Sequence, residues 1–209
     1  MTNNENFKLI SDLRSYGFFD KKIISAIESI PAELFKPDRL INYITAIQKD
    51  NLKFNKIAPD PYLCALIAQK LEISSKESIL EIGTGTGYLT AIFSKLANKV
   101  YTIENLNVFH VFAKNNFKKL RLTNIISKSG NGFYGWNEMS PFDYIFVSGY
   151  IDKLNDELIN QIKIGGKCIF PVIQSSGIQM LQLLKVDKNK TKSKIEDICE
   201  VNFDPLISV

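Results

Sequence analysis

The sequence predicts an α/β fold in which a mostly parallel sheet is covered on both faces, closes with an antiparallel C-terminal end and carries added helices on its N-terminal side. Three observations predict it. From Ser78 onward, short apolar runs alternate with helical patterns, the signature of repeated βα units. The stretch "GTGTG", Gly83 to Gly87, joins the first apolar run directly to the first helix of that series. In the last part, "IQMLQLLKVDK" and "SKIEDICEVNFDPLISV" lack a strong intervening helix and read as extended segments around a Lys-rich turn.

The elements follow in order. Phe7, Ile10 and Leu13 are spaced three apart, with Leu9 widening the stripe, and Gly17 stops this first helix. Asp20 caps a second, "KKIISAIESI", which ends at Pro31, and a weaker helix is expected after Asp38. "DPYLCALIAQKLEI" is opened by Asp60 at the N-cap and Pro61 at the first helical position. Next come a strand from Ser78 to Ile82, a helix from about Tyr88 to Leu96, a strand from Val100 to Ile103 and a helix from Leu106 to Leu120. Strands from Asn124 to Lys128 and Asp143 to Val147 have only a short connection between them; a helix from Leu154 to Ile162 and a strand from Gly166 to Pro171 complete the alternation. Short, fully apolar strands joined through helices imply a parallel sheet buried on both faces. The chain therefore reads as a single domain over 1–209, with a helical layer and a substrate-side loop in 1–75 and an α/β core in 76–209.

Composition bounds what this fold can do. The 209 residues, 45% hydrophobic and 23% charged, suit one well-filled core. No run of 18 apolar residues occurs, and "MTNNENFKLI" has neither a basic nor a following apolar region, so neither a membrane span nor a secretory signal is expected and the cytoplasm is the expected location. The net charge of +4 owes much to the Lys-rich turn, which lacks the interleaved aromatics of a nucleic-acid face. Cys64, Cys168 and Cys199 are scattered in apolar patterns without metal spacing and read as core residues in a reducing compartment. His110 lies inside a helix and is not expected to be catalytic.

The glycine-rich turn carries the chemistry. Gly83 and Gly85, with Thr84 between them, allow a tight turn and close approach to a ligand, and Gly87 permits close helix packing. Glu104 ends the neighbouring strand about 20 residues on, where an acid takes both ribose hydroxyls of a nucleoside. An adenine cofactor is the expected guest. The spacing is GxGxG, not the GxGxxG that cradles a pyrophosphate, and the preceding Glu81 suits a sulfonium or amino group better than a phosphate. S-adenosyl-L-methionine is therefore favoured over NAD. Asn105 flanks the acid, while Asn131 and Gly132 follow the third strand and are placed to reach adenine, an Asn-Gly turn being the plainer reading of that pair.

These and further motifs resemble the protein-L-isoaspartate O-methyltransferases over nearly the whole chain. The family's opening pattern is matched by Gly17, Asp20, Pro31, Phe35 and Pro37, its core by "LEIGTGTGY" with Glu104, and its "GDGxxGW" by "GNGFYGW", Gly130 to Trp136. "PFDYIFV" and "IKIGGKCIFPV" match its later blocks. The resemblance implies a Rossmann-like class I methyltransferase, a seven-stranded sheet with added N-terminal helices. It also implies methyl transfer from S-adenosyl-L-methionine to the α-carboxylate of an L-isoaspartyl residue in damaged protein or peptide, an ester that collapses to a succinimide. Neither nucleic acid nor membrane is expected as a partner, and no metal is implied.

The match breaks on the substrate side. Where the family carries "GQTISQP", this chain has "NKIAPDP", which puts Ile57 at the threonine, Ala58 at the isoleucine, Pro59 at the serine and Asp60 at the glutamine. A proline offers neither hydroxyl nor N–H, and Asp60 either repels a carboxylate or simply caps its helix. Tyr150, within Gly149 to Ile151, is expected to border the acceptor or to pack. Three readings stay open: isoaspartyl repair, methyl transfer to a different acceptor, and cofactor binding without turnover.

Overall fold

Strands that are apolar on both faces need cover on both, and the architecture supplies it. The computed structural model describes residues 3–36, 38–40, 60–187 and 194–206. Seven strands, β1 (Ser78–Ile82), β2 (Lys99–Glu104), β3 (Ile125–Ser129), β4 (Phe142–Val147), β5 (Ile162–Ile173), β6 (Gln179–Lys185) and β7 (Lys194–Val201), form one sheet in the order β3-β2-β1-β4-β5-β6-β7. β1 to β5 are parallel; β6 runs antiparallel to β5, and β7 antiparallel to β6. The helices are α1 (Asn3–Ser15), α2 (Lys21–Ser29), α3 (Pro61–Leu71), α4 (Tyr88–Leu96), α5 (Asn107–Lys119) and the short α6 (Asp156–Asn160).

The helix starts obey their capping signals. The Asp20 carboxylate accepts from the backbone N–H of Lys22 at 2.7 Å and of Ile23 at 3.4 Å, and Asp60 accepts from Leu63 N–H at 2.8 Å with Pro61 following it. Each cap satisfies donors that the first turn cannot, worth about 1 kcal/mol.

The N-terminal helices share their core with the sheet. Leu13, Ile27 and Phe35 pack in one cluster with Leu71 of α3, Ile92 and Phe93 of α4, and Ile79 and Phe146 of the sheet. The opposite sheet face buries Leu80, Ile82, Ile145 and Phe170 with Trp136. The strand alternation thus sends Ile79 to one side and Leu80 and Ile82 to the other.

Two boundaries differ from the sequence expectation. The helix read from Leu154 to Ile162 is confined to Asp156–Asn160, because Ile162 pairs with Phe142 and already belongs to β5. β5 itself runs on to Ile173, zipped to β6 along seven residue pairs from Lys167 to Ile173. Of the helix expected after Asp38, residues 38–40 form a 3-10 turn, and the remainder lies outside the described residues.

Candidate functional site

The strand order reverses around β1, whose neighbours β2 and β4 are reached by chain running in opposite directions, and a crevice opens at the carboxyl ends of the strands. Its lining comes from four directions. β1 and the turn after it give Ile82, Gly83 and Gly85; β2, its loop and the start of α5 give Ile103, Glu104, Asn105, Leu106 and Phe109; Gly132 and Ser148 follow β3 and β4. The fourth wall is Phe203 to Leu206, after β7.

Glu104 is the charged centre of this crevice. Its residue is only 7% exposed, yet both carboxylate oxygens are engaged: Oε2 accepts from Gly85 N–H at 2.8 Å and Oε1 from Leu106 N–H at 2.8 Å. Burial pushes its pKa up, opposed by the N–H groups of Leu106, Gly85 and Asn105. A carboxylate has about four acceptor positions, so these N–H groups leave it able to accept from a ligand's hydroxyl as well. The glycine turn owes its shape to positive φ at Gly83 (+90°), Gly85 (+53°) and Gly87 (+89°), and this conformation presents Gly85 N–H to the acid. Around the acid, Ile82, Ile103, Leu106 and Phe109 make an apolar slot. Gly132 keeps that slot tight, since a Cβ there would come within 2.7 Å of Ile82 Cγ2. A buried acid that can accept from hydroxyls beside an apolar slot fits the ribose and base of an adenine nucleoside.

Glu81 is on the other side of the turn. It is 1% exposed and turned toward α4, where the Thr90 hydroxyl and, at 2.9 Å, the Thr102 hydroxyl both donate to its Oε2. Thr84 extends this network through a 2.6 Å bond between its hydroxyl and that of Thr102. Burial raises the Glu81 pKa to about 8 against the pull of Thr90 and Thr102, with Glu104 adding to the rise. At neutral pH it is a neutral acid braced beneath the turn, and it does not line the crevice. Gly87 also lies on the far side, packed against Phe117 and Ala113 of α5.

Asn131 spends its side-chain oxygen locally, accepting from Phe133 N–H at 2.8 Å, so Gly132 is the member of that pair that reaches the crevice. Trp136 packs edge-on against Tyr101 with Lys128 above its ring, and is held by a 2.7 Å bond from its backbone N–H to Gln161. Of the acceptor-side residues, Ile57, Ala58 and Pro59 lie outside the described residues. Asp60 is exposed and its carboxylate caps α3. Tyr150 joins the fourth wall through its backbone, donating to Asp204 O and accepting from Leu206 N–H, both at 2.9 Å. His110 Nδ1 is buried with no partner among the described residues, and burial together with Lys114 lowers its pKa.

Sequence reasoning did not find the fourth wall. Phe203 is clamped by one side chain, donating to Gln179 Oε1 at 2.7 Å and accepting from Gln179 Nε2 at 3.0 Å. Pro205 then bridges in parallel to Tyr150, and Leu206 packs against Gly149 at 3.1 Å from where a Cβ would sit. The only available signal was an extended pattern ending in Pro205; its landing place beside β4 is a contact over more than fifty residues. The crevice bounded by this wall is about 150 Å³.

Known proteins share both the sequence and this architecture. The sequence model of the family described as Protein-L-isoaspartate(D-aspartate) O-methyltransferase (PCMT) matches residues 3–209. The Protein-L-isoaspartate O-methyltransferase of Caulobacter vibrioides is 34% identical over 201 residues, spanning 96% of this chain and 90% of its own. A solved protein-L-isoaspartate O-methyltransferase superposes with a TM-score of 0.79 at 28% identity, covering 96% of this chain and 65% of that longer one. A putative member from Plasmodium falciparum, solved in complex with S-adenosyl-L-homocysteine, has the same fold: TM-score 0.79, 20% identity, 97% and 98% of the two chains covered. By its matched length and its seven-stranded fold, the chain belongs to the protein-L-isoaspartate(D-aspartate) O-methyltransferase family.

Proposed function

We propose that the chain binds S-adenosyl-L-methionine in the crevice at the ends of β1, β2 and β4 and methylates the α-carboxylate of L-isoaspartyl residues in protein or peptide. The observation that carries this reading is Glu104, buried yet turned into an apolar slot with its oxygens oriented by Gly85 and Leu106. In this reading Glu104 takes the ribose hydroxyls, with Asn105 beside it. Gly83, Thr84 and Gly85 shape the turn, Gly132 admits the adenine, and Glu81, Gly87 and Asn131 support from behind.

When bound, the cofactor supplies an electrophilic methyl on its sulfonium. The protein's part is orientation and exclusion of water. A carboxylate acceptor is already a nucleophile at neutral pH, so no general base is needed; alignment and a dry approach supply most of the rate. Phe203 to Leu206 provide a wall that can close over the crevice and shut water out. We take the chain as one methyltransferase domain, with 1–75 as helical layer and substrate-side loop and 76–209 as cofactor core. Among the described residues no helix is long and apolar enough to cross a membrane, and we take the cytoplasm as the setting.

A different acceptor is the second reading, and Asp204 favours it. This exposed acid lines the crevice beside Ser148 and disfavours an approaching carboxylate, as does the loss of the family's serine to Pro59. Transfer of labelled methyl to a peptide with one L-isoaspartyl residue, beside its aspartyl twin, separates the readings. Incorporation into the first peptide alone is expected. None, from a sample that binds S-adenosyl-L-homocysteine, rules out isoaspartyl repair.

A further inference from the structure

A second and larger groove, about 650 Å³, lies away from the crevice, between α2, the loop before β1 and the last turn of α4. That loop leads into the amino end of β1, whereas the crevice is at its carboxyl end, so the two sites are on opposite edges of the sheet. Lys21, Lys22, Ser25 and Ser29 line it from one side of α2, a spacing of one, four and eight residues that keeps them on one helical face. Ser74 and Ser75 face them from the loop, and Lys95 from α4. The floor is apolar, made by Ala26, Ile73 and Leu96.

The charge in this groove is one-sided. No acid lines it, and the ammonium groups of Lys21, Lys22 and Lys95 take part in no ion pair among the described residues, whose ion pairs use Lys36, Lys163, Lys167 and Lys185. Of the acids nearest in sequence, Glu28 stands beside Ser29 on α2 but outside the lining, and two others are committed elsewhere. Asp20 holds the backbone of Lys22 and Ile23, and Glu77 accepts from Ser74 N–H at 2.9 Å and from the Tyr144 hydroxyl at 2.7 Å. The two lysines in the first turn of α2 stand where the macrodipole disfavours cations, beside the Asp20 carboxylate that caps the helix.

We propose that this groove binds a small molecule carrying a diphosphate, with three ammonium groups neutralising it and the hydroxyls of Ser25, Ser74 and Ser75 donating to its oxygens, while the Ser29 hydroxyl is already given to Ala26 O at 2.8 Å. Three cations match the two to three negative charges of such a group at neutral pH, and three ammonium groups with three hydroxyls supply more donors than a single carboxylate can use. The volume falls in the range of small-molecule sites, and the apolar floor has room for an attached organic group.

Inorganic pyrophosphate titrated into the full chain, followed by amide chemical shifts at about 0.15 M salt, tests this. Running it with and without S-adenosyl-L-homocysteine keeps it independent of the methyltransferase reading. Saturable shifts confined to the amides of Lys21 to Ser29, Ser74, Ser75 and Lys95 are expected, with affinity at least tenfold weaker in Lys22→Glu/Lys95→Glu and retained in Lys95→Arg. Both variants should melt like the parent. Adenosine diphosphate in place of pyrophosphate, with the crevice filled, separates the two sources: tighter binding assigns the floor to a nucleoside, and equal binding assigns the site to free diphosphate. Shifts that fail to saturate, that spread to the Lys-rich turn, or that survive the double charge reversal overturn the proposal. So does an RNA oligonucleotide that displaces pyrophosphate at lower concentration than either diphosphate.

Discussion

Glu81 and Glu104 are both buried glutamates on adjacent parallel strands, and their surroundings give them opposite tasks. Glu104 has backbone N–H groups on each oxygen and a crevice in front, whereas Glu81 has only hydroxyl donors and no opening. Charge reversal at Glu104 would strip the acceptor from Gly85 and Leu106 as well as from a ligand, so Glu104→Gln is the cleaner probe. It keeps the shape and loses the charge; calorimetric titration with S-adenosyl-L-homocysteine should show affinity about 10- to 100-fold lower, the worth of hydrogen bonds to a charged group. Unchanged affinity would remove Glu104 from the ribose role. For Glu81 the test is pH. Its folded pKa of about 8 stands above the ordinary 4.5, so the folded state holds the proton more tightly, and stability is full below about pH 4.5 and declines as pH rises toward 8. The decline is of the order of a few kcal/mol. Melting curves from pH 5 to 9 should fall for the parent and stay flatter for Glu81→Gln, with the variant the more stable at pH 9. The sequence placed both acids correctly, Glu81 in the strand before the glycine turn and Glu104 at the carboxyl end of the next. It could not say which faced the ligand, because that depends on which helix each side chain meets across the sheet.

Elements marked by local chemistry were legible. Asp20, Asp60 with Pro61, and the glycines after β1 each announce a boundary through backbone geometry that neighbouring residues dictate, and the structure puts α2, α3 and α4 where those signals lie. The boundary between α6 and β5 was not legible, because Ile159 and Ile162 continue a helical spacing while the decisive event is pairing of Ile162 with Phe142, twenty residues back. Gly87 shows how a motif glycine can serve an element instead of a ligand. A Cβ there would come within 2.7 Å of the Phe117 ring and 2.9 Å of Ala113, on a backbone with φ of +89°. Gly87→Ala should therefore cost about 2–4 kcal/mol from strain and overpacking together, lowering the melting midpoint by roughly 5–15 °C in scanning calorimetry. A midpoint unchanged within 2 °C would mean that α4 and α5 separate more easily than their packing implies.

At the scale of the molecule, the repeated βα units and the antiparallel end were readable from pattern, the seven strands were implied by the resemblance, and the strand order with its crevice is a finding of the structure. So is the wall that closes the crevice, being built by a segment that leaves β7 at one edge of the sheet and returns to the end of β4. Gln179 is its hinge post. Gln179→Leu removes both bonds to Phe203 and should raise the exchange rate of the Leu206 amide, now bonded to Tyr150, while leaving the melting midpoint within a few degrees. Hydrogen exchange measured with and without S-adenosyl-L-homocysteine reads this directly; a Leu206 amide as slow as in the parent would show that the Tyr150 pairing alone holds the wall. The same routing has a consequence for how the protein is made. Glu104 leaves the ribosome roughly one hundred residues before Phe203, which at about 5–20 residues per second is a delay of roughly 5–20 s. During that interval the nascent chain can assemble the glycine turn and its acid, but the crevice still lacks its fourth side. Competence is thus conferred late, by the segment that follows the last strand, and a chain interrupted just after β7 would resemble the finished protein in shape while being unable to close over what it binds.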